Sequence, residues 1–156
     1  MPTPVQGRAC LIQIQRAGTT DWQSIAYETQ HGLNTNSNVE EVASKRGNVV
    51  LNTSNSASIP ISGIVDRDPG ALDISGDEAL DIQYASEQFR FRQVYVGLNV
   101  NGDADLSTAT FRRGGIGSLS GYTENAETTG VMTWSATINV SGLLYKTESE
   151  IPDPNA

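Results

Sequence analysis

The clearest alternation in the chain runs over residues 131–145. Met132, Trp134, Ala136, Ile138 and Val140 take every second position, and Thr133, Ser135, Thr137, Asn139 and Ser141 fall between them. A period of two sustained this long predicts a strand with one dry face and one wet face. Burying the Met, Trp, Ile and Val side chains contributes roughly 1.5–3 kcal/mol each. A slip of one residue would turn the whole dry face to water, so the register is firmly set. The wet face carries hydroxyls and an amide but no charge. Another strand edge, or another chain, can pack there without desolvating an ion.

Weaker versions of the pattern place the other elements. Residues 8–16 predict a first strand with Cys10, Ile12 and Ile14 on one face and Gln13 and Gln15 on the other. Residues 17–21 form a turn around Gly18, and 21–28 a second strand carrying Trp22. Residues 31–47 are polar and weakly periodic, with Asn34, Asn36, Ser37 and Asn38 followed by Glu40, Glu41, Lys45 and Arg46. They predict a loop, and loops of this length in a compact domain are usually functional or disordered. A short strand over 49–53 and a polar turn over 54–56 follow. Residues 57–65 alternate again, with Ala57, Ile59, Ile61, Gly63 and Val65 on one side. Pro60 points to an edge or to a position with no donor to lose.

Residues 66–70 break the chain, and 77–88 predict the one helix. Asp77 and Glu78 suit its N-terminus, and Leu80, Tyr84 and Ile82 make a narrow apolar stripe. Residues 89–98 read as a strand and 99–105 as a turn. Two strand pieces, 106–113 and 116–123, are joined by Gly114-Gly115, a pair suited to a bulge or bend. The sum is a mainly β domain over 8–146, an antiparallel β-barrel or sandwich with one flanking α-helix. An N-terminal arm, 1–7, precedes it, and a flexible C-terminal tail with Pro152 and Pro154, 147–156, follows. The composition of both ends suits ordering on assembly.

Composition narrows the function. The net charge of −8 argues against tight binding to nucleic acid through phosphates, which needs clustered Lys and Arg. With Cys10 as the single cysteine, no disulfide forms within one chain. The N-terminus lacks the pattern of a signal peptide and no run reaches membrane-spanning length, so the expected place of synthesis is a cytoplasm.

No catalytic, cofactor or metal site emerges. His31 is the sole histidine, no motif gives it a nucleophile and a carboxylate, and it reads as a solvated loop residue. Cys10 reads as a small core residue. The run Gly114-Gly115-Ile116-Gly117-Ser118 lacks the ending and the helix of a phosphate loop. Asn99, Asn101, Asp103 and Asp105 alternate like a calcium loop, but Gly102 is misplaced and the bidentate glutamate is missing. Trp22, Trp134 and the tyrosines admit a sugar platform, against which Trp134 fits the dry face of its own strand.

Taken in order, the pattern resembles the major tail tube protein of long-tailed, siphovirus-like bacteriophages and gene transfer agents. The resemblance spans about residues 7–145. Leu11-Ile12-Gln13-Ile14 matches an early strand, and Trp22-Gln23-Ser24-Ile25-Ala26 a strand ending common in the family. The long polar segment follows. Then Ser56-Ala57-Ser58-Ile59-Pro60-Ile61-Ser62-Gly63-Ile64 resembles the family's Ser-Ile-Ser-Gly strand, with a break and a helix after it. Residues 111–122 and Met132-Thr133-Trp134-Ser135-Ala136-Thr137-Ile138 resemble its closing strands; Cys10 and Pro60 depart from it.

The resemblance implies a non-enzymatic structural subunit without cofactors. Six copies close into a ring, and rings stack head to tail into a hollow virion tube assembled in the host cytoplasm. Sheets of neighbouring subunits join into one inner barrel. The tube forms around a tape-measure protein, is bounded by tail terminator and tip proteins, and carries DNA without specific binding. The long segment would reach neighbouring rings through Asn34, Asn36, Asn38, Glu40, Glu41, Lys45 and Arg46. Glu40, Glu41, Asp103 and Asp105 are the lumen candidates, since an acidic wall repels phosphates. Two rival readings stand beside this: a carbohydrate-binding or adhesin module of a virion, and a hydrolase that uses His31.

Overall fold

The computed structural model describes residues 9–25, 28–45, 47–71, 73–102 and 104–154. Strands β1 (Cys10–Gln15), β2 (Gln23–Ile25), β3 (Glu28–His31), β4 (Asn34–Ser44), β5 (Gly47–Ile64) and β6 (Asp73–Ile74) precede helix α1 (Gly76–Tyr84). Strands β7 (Phe89–Leu98), β8 (Ala104–Asn125) and β9 (Thr133–Tyr145) complete one nine-stranded sheet. Its order is β3-β5-β9-β8-β7-β1-β2-β6, with β4 added to β5 beyond β3. Every pairing is antiparallel except β2 with β6.

The alternation in β9 sets the core. Trp134, Ala136 and Ile138 are buried, and they meet Ile59 and Ile61 of β5, Leu119 of β8 and Ala79 and Ile82 of α1. Tyr122 stacks on Trp134 with ring centroids 5.9 Å apart. Met132, expected on this face, precedes the strand and is 36 % exposed. The opposite face of β9 is knitted to β8 by neutral contacts. Thr123 Oγ1 lies 2.6 Å from Ser135 Oγ, and Asn139 Nδ2 donates to Ser120 Oγ at 2.7 Å.

Several expectations change. The predicted pieces 106–113 and 116–123 are one continuous strand, whose register against β9 shifts between Gly114 and Ile116. Here glycine is required by space: a Cβ on Gly114 would press into the Phe91 carbonyl and reach the Ile151 side chain. The helix ends at Tyr84 instead of reaching 88, and its buried face runs through Ala79 and Ile82. Tyr84, placed in the apolar stripe by its spacing from Leu80, is 79 % exposed. The stripe is narrower than the periodicity implied: the helix packs mainly on β8, with lesser contact to β6 and β9.

The predicted strand over 21–28 is replaced by β2 and β3, with Ala26 and Tyr27 outside the described residues. The predicted flexible tail is packed where it is described. A 3-10 turn at Glu148–Glu150 brings Glu148 Oε1 to 3.0 Å from Arg92 Nη1, and Ile151 is 4 % exposed.

The largest difference lies at 31–47. This stretch is no loop. From Asn34 to Ser44 it is β4, paired residue by residue with β5 from Asn34↔Ser58 to Ser44↔Gly47. The short strand at 49–53 and the polar turn at 54–56 are likewise parts of β5. The backbone ladder pairs the facing amides and carbonyls of the two strands without needing a hydrophobic face.

Candidate functional site

The projecting part of the sheet is the candidate site. β9 pairs with β5 only from Ala57 to Ile64. Beyond Ala57, the outer half of β5 has β4 as its partner among the described residues. The β4–β5 hairpin therefore extends past the sheet at the Val140 end of β9. Gly47, with φ of +113°, allows the reversal at its tip.

A second hairpin projects from the same end. β8 pairs with β9 from Asn125 back to Gly114, and its earlier residues pair with β7 as far as Leu98↔Ala104. At its tip Asn99 Oδ1 accepts the Asn101 amide at 2.9 Å, a turn-stabilising bond. Val100 is fully exposed there, and Leu106 is 44 % exposed.

The sequence-predicted residues distribute over these two hairpins. Asn34 and Asn36 are exposed on β4, as are Glu41 and Lys45 at its far end. Asn38 and Glu40 lie in the β4 ladder, paired with Ser54 and Leu51. Arg46 and Asp103, like the arm 1–7, lie outside the described residues. Asp105 is half-buried, and its carboxylate accepts the Ser107 amide at 3.1 Å and the Ser107 hydroxyl at 2.6 Å. Glu40 and Glu41 thus share one hairpin, while Asp105 bonds within strand β8 of the other.

Sequence reasoning missed the junction between the hairpins. His31 is no solvated loop residue: its side chain is 12 % exposed and that of Glu28 is 3 % exposed. A register shift between Glu28 and Gln30 brings these residues, three apart, to the same side of β3. Glu28 Oε1 contacts His31 Nδ1, and Glu28 Oε2 accepts the Ile12 amide of β1 at 3.1 Å. His31 Nε2 lies 2.8 Å from Gln93 Nε2 on β7, and Gln93 Oε1 accepts from Arg112 Nη1 on β8 at 2.9 Å. Side chains thus link β3 to β1, β7 and β8, where the backbone ladder leaves the sheet open. Burial pulls the proton affinity of His31 down, but hydrogen bonds with Cys10 and Glu28 outweigh it and push the imidazole up to about 9. The bulge that makes this junction has no mark in the sequence.

The aromatic residues do not form a platform. Trp134 is 2 % exposed, and Trp22 lies under two guanidiniums, 4.4 Å from Arg92 and 5.7 Å from Arg90. Only Tyr84 among the described aromatics is largely exposed. Among the described residues no cluster of three or more His, Cys, Asp or Glu side chains is placed to hold a metal ion.

Similar proteins place this arrangement. The tail of an empty gene transfer agent particle, solved with C6 symmetry, matches with a TM-score of 0.67 at 18% identity, over 92% of this chain and 99% of that one. The SPP1 tail tube matches with a TM-score of 0.66 at 18% identity, over 96% of this chain and 82% of that one. A chain of the anti-feeding prophage baseplate matches with a TM-score of 0.60 at 12% identity, over 95% of this chain and 99% of that one. At these identities the likeness establishes the fold. No curated protein sequence matches. The family model described as phage tail tube protein matches residues 4–146. With that match over nearly its whole length, and with this fold, the chain belongs to the phage tail tube protein family and is a structural subunit of a phage tail tube.

Proposed function

We propose that six copies of this chain close into a ring, that rings stack head to tail into the virion tube, and that the β4–β5 hairpin carries contact between rings. The observation behind this is the hairpin itself. It is an eleven-residue strand, with its partner, reaching past the pairing of β5 with β9 and pairing on one edge only among the described residues. A long unpaired edge is an aggregation hazard for a monomer. A head-to-tail contact that closes into a ring and repeats along an axis gives such a segment an ordered partner. Asn34, Asn36, Asn38, Glu40, Glu41, Lys45 and Arg46 are the residues assigned to that contact.

The lumen would be lined in part by Glu40, Glu41, Asp103 and Asp105, whose charge repels phosphate and lets DNA pass without specific binding. The tube would enclose a tape-measure protein, end at terminator and tip proteins, and assemble in the host cytoplasm. No step of this role needs catalysis, so the chain acts as a building block and not as an enzyme. The N-terminal arm and the C-terminal tail would contribute to contacts between subunits.

The test replaces residues 37–55 by Asn-Gly, which keeps the Asn36↔Ser56 pair and closes a two-residue turn. The trimmed protein should fold, with the same near-ultraviolet circular dichroism, and should sediment as a small species at concentrations where the full chain forms large assemblies. Equal assembly by both would remove the hairpin from the contact.

A further inference from the structure

We propose that Gln93 reads the protonation state of His31 and passes it to Arg112, so that one proton couples the roots of the two projecting hairpins. The inference rests on the direction of each hydrogen bond. Arg112 can only donate, and its Nη1 reaches Gln93 Oε1 at 2.9 Å. That contact fixes the Gln93 amide with its NH2 group toward His31, where Gln93 Nε2 stands 2.8 Å from His31 Nε2. An NH2 group can only donate, so His31 Nε2 must accept and carries no proton. His31 Nδ1 then holds the single ring proton and donates it to Glu28. Glu28 also accepts the Ile12 amide. The chain of donors runs one way, from Arg112 on β8 through Gln93 on β7 and His31 on β3 to Glu28, and it describes the neutral imidazole.

The imidazolium cannot keep this chain. With protons on both ring nitrogens, His31 Nε2 faces the Gln93 NH2 as donor against donor. The amide must turn over to present Oε1 to His31, and its NH2 then opposes Arg112. Arg112 loses its acceptor and is left with the face of Tyr95, whose ring centroid lies 5.5 Å from the guanidinium. Two arrangements of the same four side chains follow, one tying β8 to β3 and one releasing it.

The surroundings make both arrangements accessible. Glu28 on β3 and Cys10 on β1 favour the imidazolium, and together they hold its transition at about 9. On β8 Arg112 opposes it through Gln93, and Arg113, opposite Gln93 in the β7–β8 register, adds a second positive charge on that strand. On β5 the register partner of His31 is Ile61, which does not titrate. Tyr95 on β7 faces Arg112. The junction sits where β3 leads into the β4–β5 hairpin and where β7 and β8 lead into the other, so a change in it alters how the two are held relative to each other.

His31 is the sole histidine, so its ring nitrogens can be followed without ambiguity by 15N NMR on the folded, unassembled protein. On the high-pH side of the transition Nε2 should show the shift of an unprotonated nitrogen and Nδ1 that of a protonated one. The Arg112 side-chain resonances should move with the same midpoint. Arg112→Met should raise that midpoint by about one pH unit, a tenfold gain in proton affinity, because Gln93 is then free to turn. In a Gln93→Leu background the same Arg112→Met change should shift the midpoint far less, which separates the relay from simple loss of a positive charge. Gln93→Glu, which accepts from both neighbours, should raise the midpoint and leave Arg112 insensitive to pH, and it serves if the leucine variant does not fold. Equal shifts from Arg112→Met with and without Gln93 would overturn the proposal. So would an Nδ1-unprotonated neutral tautomer, or Arg112 resonances in the Gln93→Glu protein that still follow His31.

Discussion

Strand β5 passes through two environments. From Ala57 to Ile64 it pairs with β9 on one side, and Ile59 and Ile61 are 3 % and 2 % exposed in the core. From Gly47 to Ser56 it has β4 alone among the described residues. The inner half is held by burial, which acts on side chains. The outer half is held by the ladder, which acts on the backbone and is nearly indifferent to sequence. One strand can therefore be specified firmly at one end and loosely at the other, and the loose end is free to take the sequence that contact with another molecule demands.

The sharpest break of this contrast comes from the partner of the inner half. Trp134→Ala, on β9 opposite Gly63, removes the largest side chain of the core and should cost about 3–5 kcal/mol, measured by denaturant unfolding. A comparable loss from polar-to-alanine changes in the outer hairpin would erase the distinction between the halves.

Beside the inner half, opposite Ile61, His31 makes stability depend on pH. The folded state raises His31 from its ordinary 6.5 to about 9. The stabilisation is therefore fully present below pH 6.5 and is lost as pH rises through 9. The loss should be on the order of 3 kcal/mol, seen as a falling midpoint in urea, and His31→Gln should flatten the profile. An unchanged profile in the variant would assign the pH dependence elsewhere.

Trimming residues 37–55 should sharpen the contrast from the outer side. Stability of the monomer should change by no more than about 1 kcal/mol, since the pairing of β5 with β9 and the core residues Ile59 and Ile61 are kept, while assembly is lost. The smallest effect is expected at the packed tail. Glu148 is 40 % exposed opposite Arg92, so Glu148→Gln should cost roughly 0.2–1 kcal/mol, shrinking with added salt.

The same contrast explains what was legible in the sequence. β9, β7, and the inner part of β5 announce themselves because one face is dry and the alternation follows. In β1 the dry face of Cys10, Ile12 and Ile14 is equally plain, but Gln13 is buried too, through its bond to Ser24 Oγ at 3.1 Å. In β4 and the outer part of β5 polar residues fall at odd and even positions alike and the few apolar ones do not alternate, so period-two reading finds only a short strand at 49–53 and length suggests a loop before it. The polar residues 34–45 fall on one hairpin arm, but their conformation was invisible. Glu28 and His31 meet through a bulge that leaves no compositional trace. Ile151 stands among charged and proline residues, and it buries against the space left by Gly114.

The most direct test of the tube account is electron microscopy of the concentrated full-length protein beside the hairpin-trimmed form. The account predicts hollow rings with six-fold averages, and tubes of even width, from the full chain, with neither from the trimmed one. Tubes of the same width from both forms, or compact particles without a central channel from the full chain, would contradict it.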